Sequence, residues 1–148
     1  LAEEMIRRSQ FRASEKGLSL HLDIPDSTTF LFADKSRLDQ VLTNLVENAV
    51  RYTEKGSITL AVKEERNDVI MQVKDTGIGI KKEDIPYLFE RFYRVDKSRS
   101  RANGGTGLGL AIVKNLVEMH DGDIHVDSEL NKGTTITLRF PKEEQLND

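Results

Sequence analysis

Apolar and polar residues alternate along several short stretches of the chain, which is the pattern of half-buried β-strands. The clearest case is residues 18–24, where leucine and isoleucine alternate with polar residues. Two further alternating stretches flank Arg66, Asn67 and Asp68, and together they predict a hairpin. In all, the alternation predicts strands at residues 18–24, 28–33, 58–62, 69–73, 123–126 and 135–140.

Two segments, residues 35–53 and 108–120, have the spacing of apolar residues that is typical of helices. Residues 1–16, where a few apolar residues stand among charges before Gly17, predict a further helix. Asp34 stands where the N-cap of the helix at 35–53 is expected. Because helices and strands are grouped, the sequence predicts an α+β fold, a two-layer sandwich in which about three helices cover one face of a mixed sheet of about five strands. The segment 94–107 has no such pattern, which is typical of a functional lid.

Composition narrows the class of protein. The chain has 148 residues, of which 37% are hydrophobic and 32% charged, and this suits one folded domain. The absence of cysteine excludes disulfides and thiolate chemistry. A formal net charge of −3 argues against general nucleic-acid binding. No apolar run approaches the ~20 residues that a membrane-spanning helix needs.

Six of the ten glycines fall in two clusters, at residues 75–80 after a predicted strand and at residues 104–109 before a predicted helix. Free N–H groups at a glycine-rich helix entry can bind phosphate, although two flexible turns would have the same composition. Neither cluster is a P-loop, because the chain has no Gly-Lys pair. Neither is a Rossmann motif, because Lys82 and Leu110 occupy the positions of its third glycine.

The helix predicted at 35–53 carries Asn44, Glu47, Asn48 and Arg51 at three- and four-residue spacing, so these residues share a face. Two asparagines four residues apart are unusual, since asparagine is a mediocre helix former. An amide oxygen suits Mg²⁺, and a guanidinium suits phosphate. A solvated helix face would carry the same residues, and the spacing alone leaves that alternative open.

Five motifs, in order along the chain, resemble those of the ATP-binding domain of sensor histidine kinases, which has the Bergerat fold of the GHKL superfamily. They are an N box at 44–53, a first glycine box at 75–79, an F box at 89–94, a second glycine box at 105–110 and a glycine–threonine element at 133–135. The resemblance covers essentially the whole chain. It implies a histidine protein kinase domain of a two-component system that binds ATP and Mg²⁺.

The resemblance also implies roles for single residues. Asn48 is expected to hold Mg²⁺ and Asn44 to assist it, while Arg51 and Arg94 are expected to face the phosphates; these are the candidate catalytic residues. Asp75 is expected to accept a hydrogen bond from the adenine amine, which a carboxylate can do. The other candidate nucleotide-binding residues are Tyr52, Gly77, Gly79, Ile80, Gly105, Thr106, Gly107, Leu108, Gly109, Leu110 and Thr134.

Hydrolytic members of the superfamily carry a glutamate four residues before the metal-binding asparagine, and Asn44 stands there in this chain. An amide cannot accept the proton of an attacking water, so slow hydrolysis and transfer to a separate acceptor are expected. His21, His120 and His125 lie outside the family's phosphoacceptor motif. The acceptor histidine is therefore expected on a separate helical hairpin, and this chain alone is expected to bind ATP without autophosphorylation.

The same resemblance implies boundaries and partners. Residues 1–16 would lead in from a dimerisation and phosphoacceptor region, residues 17–142 would form the ATP-binding domain, and residues 143–148 would be a polar tail. The partners would be that region of the same protein and, through the full-length kinase, a response regulator. No nucleic acid and no direct membrane contact are expected. The domain would be cytoplasmic, in a family whose members are often anchored in the membrane.

Two other functions remain open from the sequence. One is a superfamily ATPase that acts as a conformational clamp, which Asn44 disfavours. The other is a degenerate module that no longer uses nucleotide, which Asn48, Asp75 and the glycines disfavour. The glycines of the segment 104–109 also lead to the hypothesis that the lid is unordered without ligand.

Overall fold

The computed structural model describes residues 2–23, 35–66, 68–89 and 109–141. Its helices are α1 (Ala2–Glu15), α2 (Lys35–Tyr52) and α3 (Gly109–Met119), with a short 3-10 helix at Ile85–Tyr87. Its strands are β1 (Ser19–Asp23), β2 (Ser57–Glu65), β3 (Asp68–Asp75), β4 (Asp123–Glu129) and β5 (Gly133–Pro141). The strand predicted at 28–33, the N-cap at Asp34 and the segment 94–107 lie outside the described residues.

The five strands form one mixed sheet in the order β1-β2-β3-β5-β4. Strand β1 pairs with β2 in parallel, and all other neighbours are antiparallel. The hairpin predicted around Arg66 is the β2–β3 pair, and Arg66 takes the positive φ that tight hairpin turns require. The α+β sandwich with a mixed five-stranded sheet is confirmed.

Paired residues on neighbouring strands point to the same side of a sheet, so the register arranges the inner face in rows across the strands. Two of these rows are wholly apolar, and we call them the apolar rows. The first consists of Leu22, Leu60, Val73, Ile136 and Val126. The second consists of Val62, Met71, Leu138 and Ile124. Beyond them, Val69 pairs with Phe140.

Helix α2 covers the apolar rows and is the centre of the helical layer. Its buried residues are Leu38, Val41, Leu42, Leu45, Val46, Ala49 and Val50. Helix α3 packs beside it through Val113, Leu116 and Val117. Helix α1 packs on α2 and β1, and the Lys16 ammonium that follows α1 donates to the carbonyls of Val50 (2.6 Å) and Arg51 (3.2 Å) at the end of α2.

The opposite face of the sheet is mostly polar. Gln72 donates to Thr137 across β3 and β5 (3.1 Å), and Arg139 pairs with Asp68 (2.8 Å). Since this face carries polar pairs while the other carries the core, the helices cover one face, as the sequence predicts. Among the helices of the described residues, none combines the length and the apolar character needed to cross a membrane.

Candidate functional site

The inner face of the sheet ends in a row of a different character. The register continues from Leu20 and Ile58 to Asp75, Thr134 and Ser128, which are paired neighbours on β3, β5 and β4. We call Asp75, Thr134 and Ser128 the polar row. It lies directly beside the first apolar row on the inner face of the sheet. Its three side chains therefore point toward the helical layer, as the core residues do.

Asp75 holds a carboxylate at this edge of the core. Its Oδ1 accepts hydrogen bonds from the backbone N–H groups of Gly77 (2.9 Å) and Thr134 (3.3 Å). Burial raises the pKa of Asp75 above its ordinary value, and the two N–H groups oppose this rise without cancelling it. Both bonds end on Oδ1. Oδ2 can therefore accept a hydrogen bond from a group outside the described residues, such as a ligand. The group is a fixed hydrogen-bond acceptor in a partly desolvated position.

The backbone that follows Asp75 is tied to three other parts of the fold. The N–H of Ile78 donates to the carbonyl of Tyr52 at the end of α2 (3.3 Å), and the N–H of Asn131 donates to the carbonyl of Ile78 (2.7 Å). The N–H of Ile80 donates to Ser128 Oγ (2.8 Å). This segment therefore has a defined position without belonging to a helix or a strand.

Gly77 and Gly79 are required by the tightness of this segment. A Cβ on Gly77 would lie 2.4 Å from the carbonyl oxygen of Tyr52 and 2.8 Å from Thr53 Oγ1. Gly79 has φ +76°, and a Cβ there would lie 2.1 Å from the carbonyl oxygen of Glu129. The close approach of these glycines to a purine, expected from the resemblance, stays a prediction; their close approach to the chain itself is a finding.

The structure brings Tyr52, Asp75, Gly77, Gly79, Ile80 and Thr134 together through these contacts. Two residues of the same site were missed by sequence reasoning. Ile124, Val126 and Ser128 stand two residues apart and share one face of β4, and Ser128 is the polar member of this set. A polar residue at an otherwise apolar position is the signal by which the sequence could have indicated it. Thr53 is fully buried and its Oγ1 has no partner among the described residues, which the sequence does not reveal.

Helix α2 carries the second group of candidates toward the same end of the fold. Asn44, Asn48 and Arg51 are half-buried, and Arg51 Nη1 donates to Asn48 Oδ1 (3.4 Å). Their helical spacing gives them a common face that leads to Tyr52, the last residue of α2. Asn48 Oδ1 can still accept or coordinate on its second lone pair.

A metal at this face would have few protein ligands. Within the part of the chain that the structure describes, no three His, Cys, Asp or Glu side chains form a metal-binding group. This donor set fits Mg²⁺, which typically takes one or two protein oxygens together with waters and ligand phosphates. It does not fit a zinc or calcium site, which needs three or more protein ligands.

The second glycine cluster is only partly described. Gly109 is the first residue of α3, and Leu110 is half-buried against the core. Arg94, Gly105, Thr106, Gly107 and Leu108 lie outside the described residues, so their roles stay predictions.

Known proteins resemble this chain along most of its length. The family model for "Histidine kinase-, DNA gyrase B-, and HSP90-like ATPase" matches residues 33–144. The chain is 48% identical over 130 residues to the sensor histidine kinase WalK of Bacillus subtilis (strain 168), which covers 85% of this chain. It is 42% identical over 145 residues to the sensor protein SrrB of Staphylococcus aureus (strain MRSA252), which covers 97% of this chain. The matched parts are 21% of WalK and 25% of SrrB, so the chain spans a quarter or less of these relatives.

Solved structures of histidine kinases are similar to this chain in fold. Full-length ShkA in complex with AMPPNP superposes with a TM-score of 0.83 at 31% identity, over 95% of this chain and 29% of that chain. The nucleotide-free catalytic domain of the histidine kinase ThkA superposes with a TM-score of 0.80 at 26% identity, over 95% of this chain and 94% of that chain. The Bergerat architecture expected from the five motifs is thereby confirmed.

Proposed function

The chain belongs to the family of histidine kinase-, DNA gyrase B- and HSP90-like ATPases, and we propose that it is the ATP-binding catalytic domain of a sensor histidine kinase. The names of its curated relatives and the AMPPNP complex of ShkA support this. The observation that carries the proposal is the polar row. A half-buried carboxylate with one oxygen bonded to backbone N–H groups, at the edge of the core, is a site for a ligand that donates a hydrogen bond.

At the base end of the site, Asp75 accepts the hydrogen bond of the adenine amine. Oδ1 is held by Gly77 and Thr134, so the direction of Oδ2 is set before any ligand arrives. Preorganisation of this kind lowers the cost of ordering a group on binding. Guanine has a carbonyl oxygen where adenine has its amine, and two acceptors repel each other. Asp75 thus favours adenine over guanine.

At the phosphate end, Asn48 contributes an amide oxygen to Mg²⁺, with Asn44 beside it and Arg51 facing the phosphates. The bond from Arg51 to Asn48 fixes the orientation of that amide, with its oxygen turned toward the guanidinium. Mg²⁺, when bound, would neutralise charge on the triphosphate, which together with positioning is what phosphoryl transfer requires. Arg94 and the glycines of the second cluster complete the proposed phosphate site.

The chain is built for transfer to a partner rather than for hydrolysis. Asn44 takes the position of the hydrolytic glutamate, and an amide does not deprotonate water. His21, His120 and His125 all lie outside the family's phosphoacceptor motif, and His21 and His125 stand on strands rather than on a helical hairpin. We therefore assign the acceptor histidine to a helical hairpin domain of the parent protein, which α1 leads in from. A response regulator would receive the phosphoryl group from that histidine.

Calorimetric titration of the 148-residue chain with AMPPNP tests nucleotide binding. We expect binding with Mg²⁺ that weakens about tenfold or more when EDTA replaces it. Asn48→Ala should remove this Mg²⁺ effect. The matched control is Asn115→Ala, an exposed asparagine on α3, which should retain it. A folded wild-type chain that binds no AMPPNP with Mg²⁺ would contradict the proposal.

Radiolabelled ATP tests the transfer step separately. The chain alone should acquire no label on histidine, and the parent's helical hairpin, added as a second polypeptide, should acquire it. Label on His21, His120 or His125 would contradict the assignment of a separate acceptor. Rapid release of inorganic phosphate by the chain alone would instead favour a hydrolytic clamp.

A further inference from the structure

Among the described residues of the site, Ser128 has the hydroxyl with the most hydrogen bonds. It accepts from the N–H of Ile80 (2.8 Å), donates to the carbonyl oxygen of Gly133 (3.0 Å) and lies 2.8 Å from Thr134 Oγ1. A serine hydroxyl has one proton and two acceptor lone pairs. Ile80 takes one lone pair. For all three contacts to be hydrogen bonds, the Ser128 proton must go to Gly133, because a carbonyl oxygen brings no proton of its own to that bond.

This count determines which residue supplies the proton in the hydrogen bond between Ser128 and Thr134. Since Ser128 has already given its proton to Gly133, the proton of the third bond must come from Thr134. Ser128 then has its donor and both acceptor sites in use. Thr134 has its only proton committed, and what its Oγ1 offers to any other group is a lone pair.

We propose that Ser128 is a positioning residue that fixes Thr134 Oγ1 as a hydrogen-bond acceptor, so that the polar row selects a purine with an amino group at position 6. This rests on the proposed nucleotide binding. Thr134 is buried, is the paired neighbour of Asp75 and donates its backbone N–H to Asp75 Oδ1. Two neighbouring oxygens of the row thus present acceptors to the same edge of the base, directly or through a bound water.

The role of Ser128 is mainly to prevent a wrong contact. A threonine with a free proton can rotate its hydroxyl and donate to the carbonyl of guanine as readily as it accepts from the amine of adenine. When the Thr134 proton is donated to Ser128, that option is removed, and the carbonyl at position 6 of guanine finds no donor in either Asp75 or Thr134. Selectivity therefore comes from an unfavourable contact with the competitor as well as a favourable one with adenine.

The test is the ratio of AMPPNP affinity to GMPPNP affinity, measured by calorimetry on the whole chain. Ser128→Ala should lower this ratio about threefold to tenfold, the range of one hydrogen bond. In a Thr134→Val background, Ser128→Ala should change the ratio no further, because the residue it acts through has lost its hydroxyl. A loss of stability alone would weaken both nucleotides equally and leave the ratio unchanged.

Thr137→Val is the matched control, because it removes a hydroxyl of β5 that is bonded to Gln72 on the opposite face of the sheet. It should leave the ratio unchanged. If Ser128→Ala does not fold, Ser128→Cys gives the same readout, since a thiol is a weak donor and acceptor. An unchanged affinity ratio in a folded Ser128 variant overturns the inference. So does a Ser128→Ala substitution that lowers the ratio as much in the Thr134→Val chain as in wild type. Failure of the wild-type chain to bind AMPPNP would instead overturn the proposed function.

Discussion

The two ends of the inner sheet face use the same geometry for opposite purposes. In the apolar rows, paired residues such as Val73 and Ile136 bury their side chains under α2. One step further along the same strands, Asp75 and Thr134 are paired in the same way but carry polar groups. The apolar rows are stabilised by removing surface from water. The polar row remains in place because backbone N–H groups and neighbouring hydroxyls satisfy it.

This contrast explains why the site lies where it does. A carboxylate in the middle of the apolar rows would lose its hydration without gaining partners, at a prohibitive cost. At the end of the rows, β3 gives way to residues 76–80, which we call the glycine segment. The N–H of Gly77 in this segment turns back to Asp75, and the N–H of Thr134, at the start of β5, supplies the second bond. In this fold the half-buried acceptor therefore stands where the regular structure of β3 ends.

The largest expected effect belongs to the apolar end. Phe140 is 1% exposed and pairs with Val69, far along β5 from the polar row. Phe140→Ala should lower the free energy of unfolding by about 3–5 kcal/mol, the cost of a large core cavity. Ile112→Ala on α3, where the side chain is 38% exposed, is the control and should cost much less. Urea denaturation measures both, and an equal loss would contradict the assignment of the core.

The next effect in size is expected at the glycine segment. Gly79→Ala should cost about 2–4 kcal/mol, because left-handed backbone strain adds to a collision with Glu129. Gly17→Ala is matched to it, since Gly17 has φ +75° but no atom within 4 Å of the Cβ position. That control should cost only about 1–2 kcal/mol and leave AMPPNP affinity unchanged. Equal losses of stability and affinity in the two variants would mean that the contact with Glu129 is unimportant.

A smaller effect, of opposite sign, is expected at Thr53. Its hydroxyl is buried beside Gly77 with no partner among the described residues. Thr53→Val keeps the shape and removes the orphaned group, so the nucleotide-free chain should become more stable by about 1 kcal/mol. Thr137→Val, which breaks a formed bond to Gln72, should instead lose stability. A loss in both variants, measured by urea denaturation, would mean that Thr53 Oγ1 has a hydrogen-bond partner, either a water or a group outside the described residues.

The smallest effect is the pH dependence contributed by Asp75, whose pKa burial raises in the folded chain. The folded chain then keeps the Asp75 proton over a pH range in which the unfolded chain has lost it. Its stabilising contribution is complete below the unfolded pKa of about 4 and is lost as the pH rises through the folded pKa. Relative to wild type, Asp75→Asn should therefore gain stability as the pH is raised from about 3 to about 7. Urea denaturation at a series of pH values measures this difference, and a difference of the opposite slope would contradict the direction of the shift.

Much of the fold could be predicted from the sequence, because alternation reports which face of a strand is buried. The β2–β3 hairpin and the helix α2 follow from such local patterns. The parallel pairing of β1 with β2 does not, since alternation carries no information about which strands become neighbours. Asp75 and Thr134 belong to separate motifs, and only the register of β3 and β5 makes them adjacent.

The polar contacts of the site were harder to predict. Ser128 belongs to no motif, and its importance comes from three bonds to residues distant in the chain or across a turn. The glycines could be predicted as sites of close approach, but the partner of that approach could not. For Gly77 it is the end of α2, and for Gly79 it is the backbone of Glu129. Tertiary contacts of this kind leave no periodic signal.

The most direct measurement is the affinity of Asp75→Asn for AMPPNP in the presence of Mg²⁺, by calorimetry beside wild type. Gln72→Ala, on the opposite face of β3, is the control. If the polar row binds adenine, Asp75→Asn should weaken AMPPNP binding about tenfold to a hundredfold, as expected for one bond to a charged group, and Gln72→Ala should leave it unchanged. Unaltered AMPPNP affinity in a folded Asp75→Asn chain would contradict the polar row as the site of base recognition.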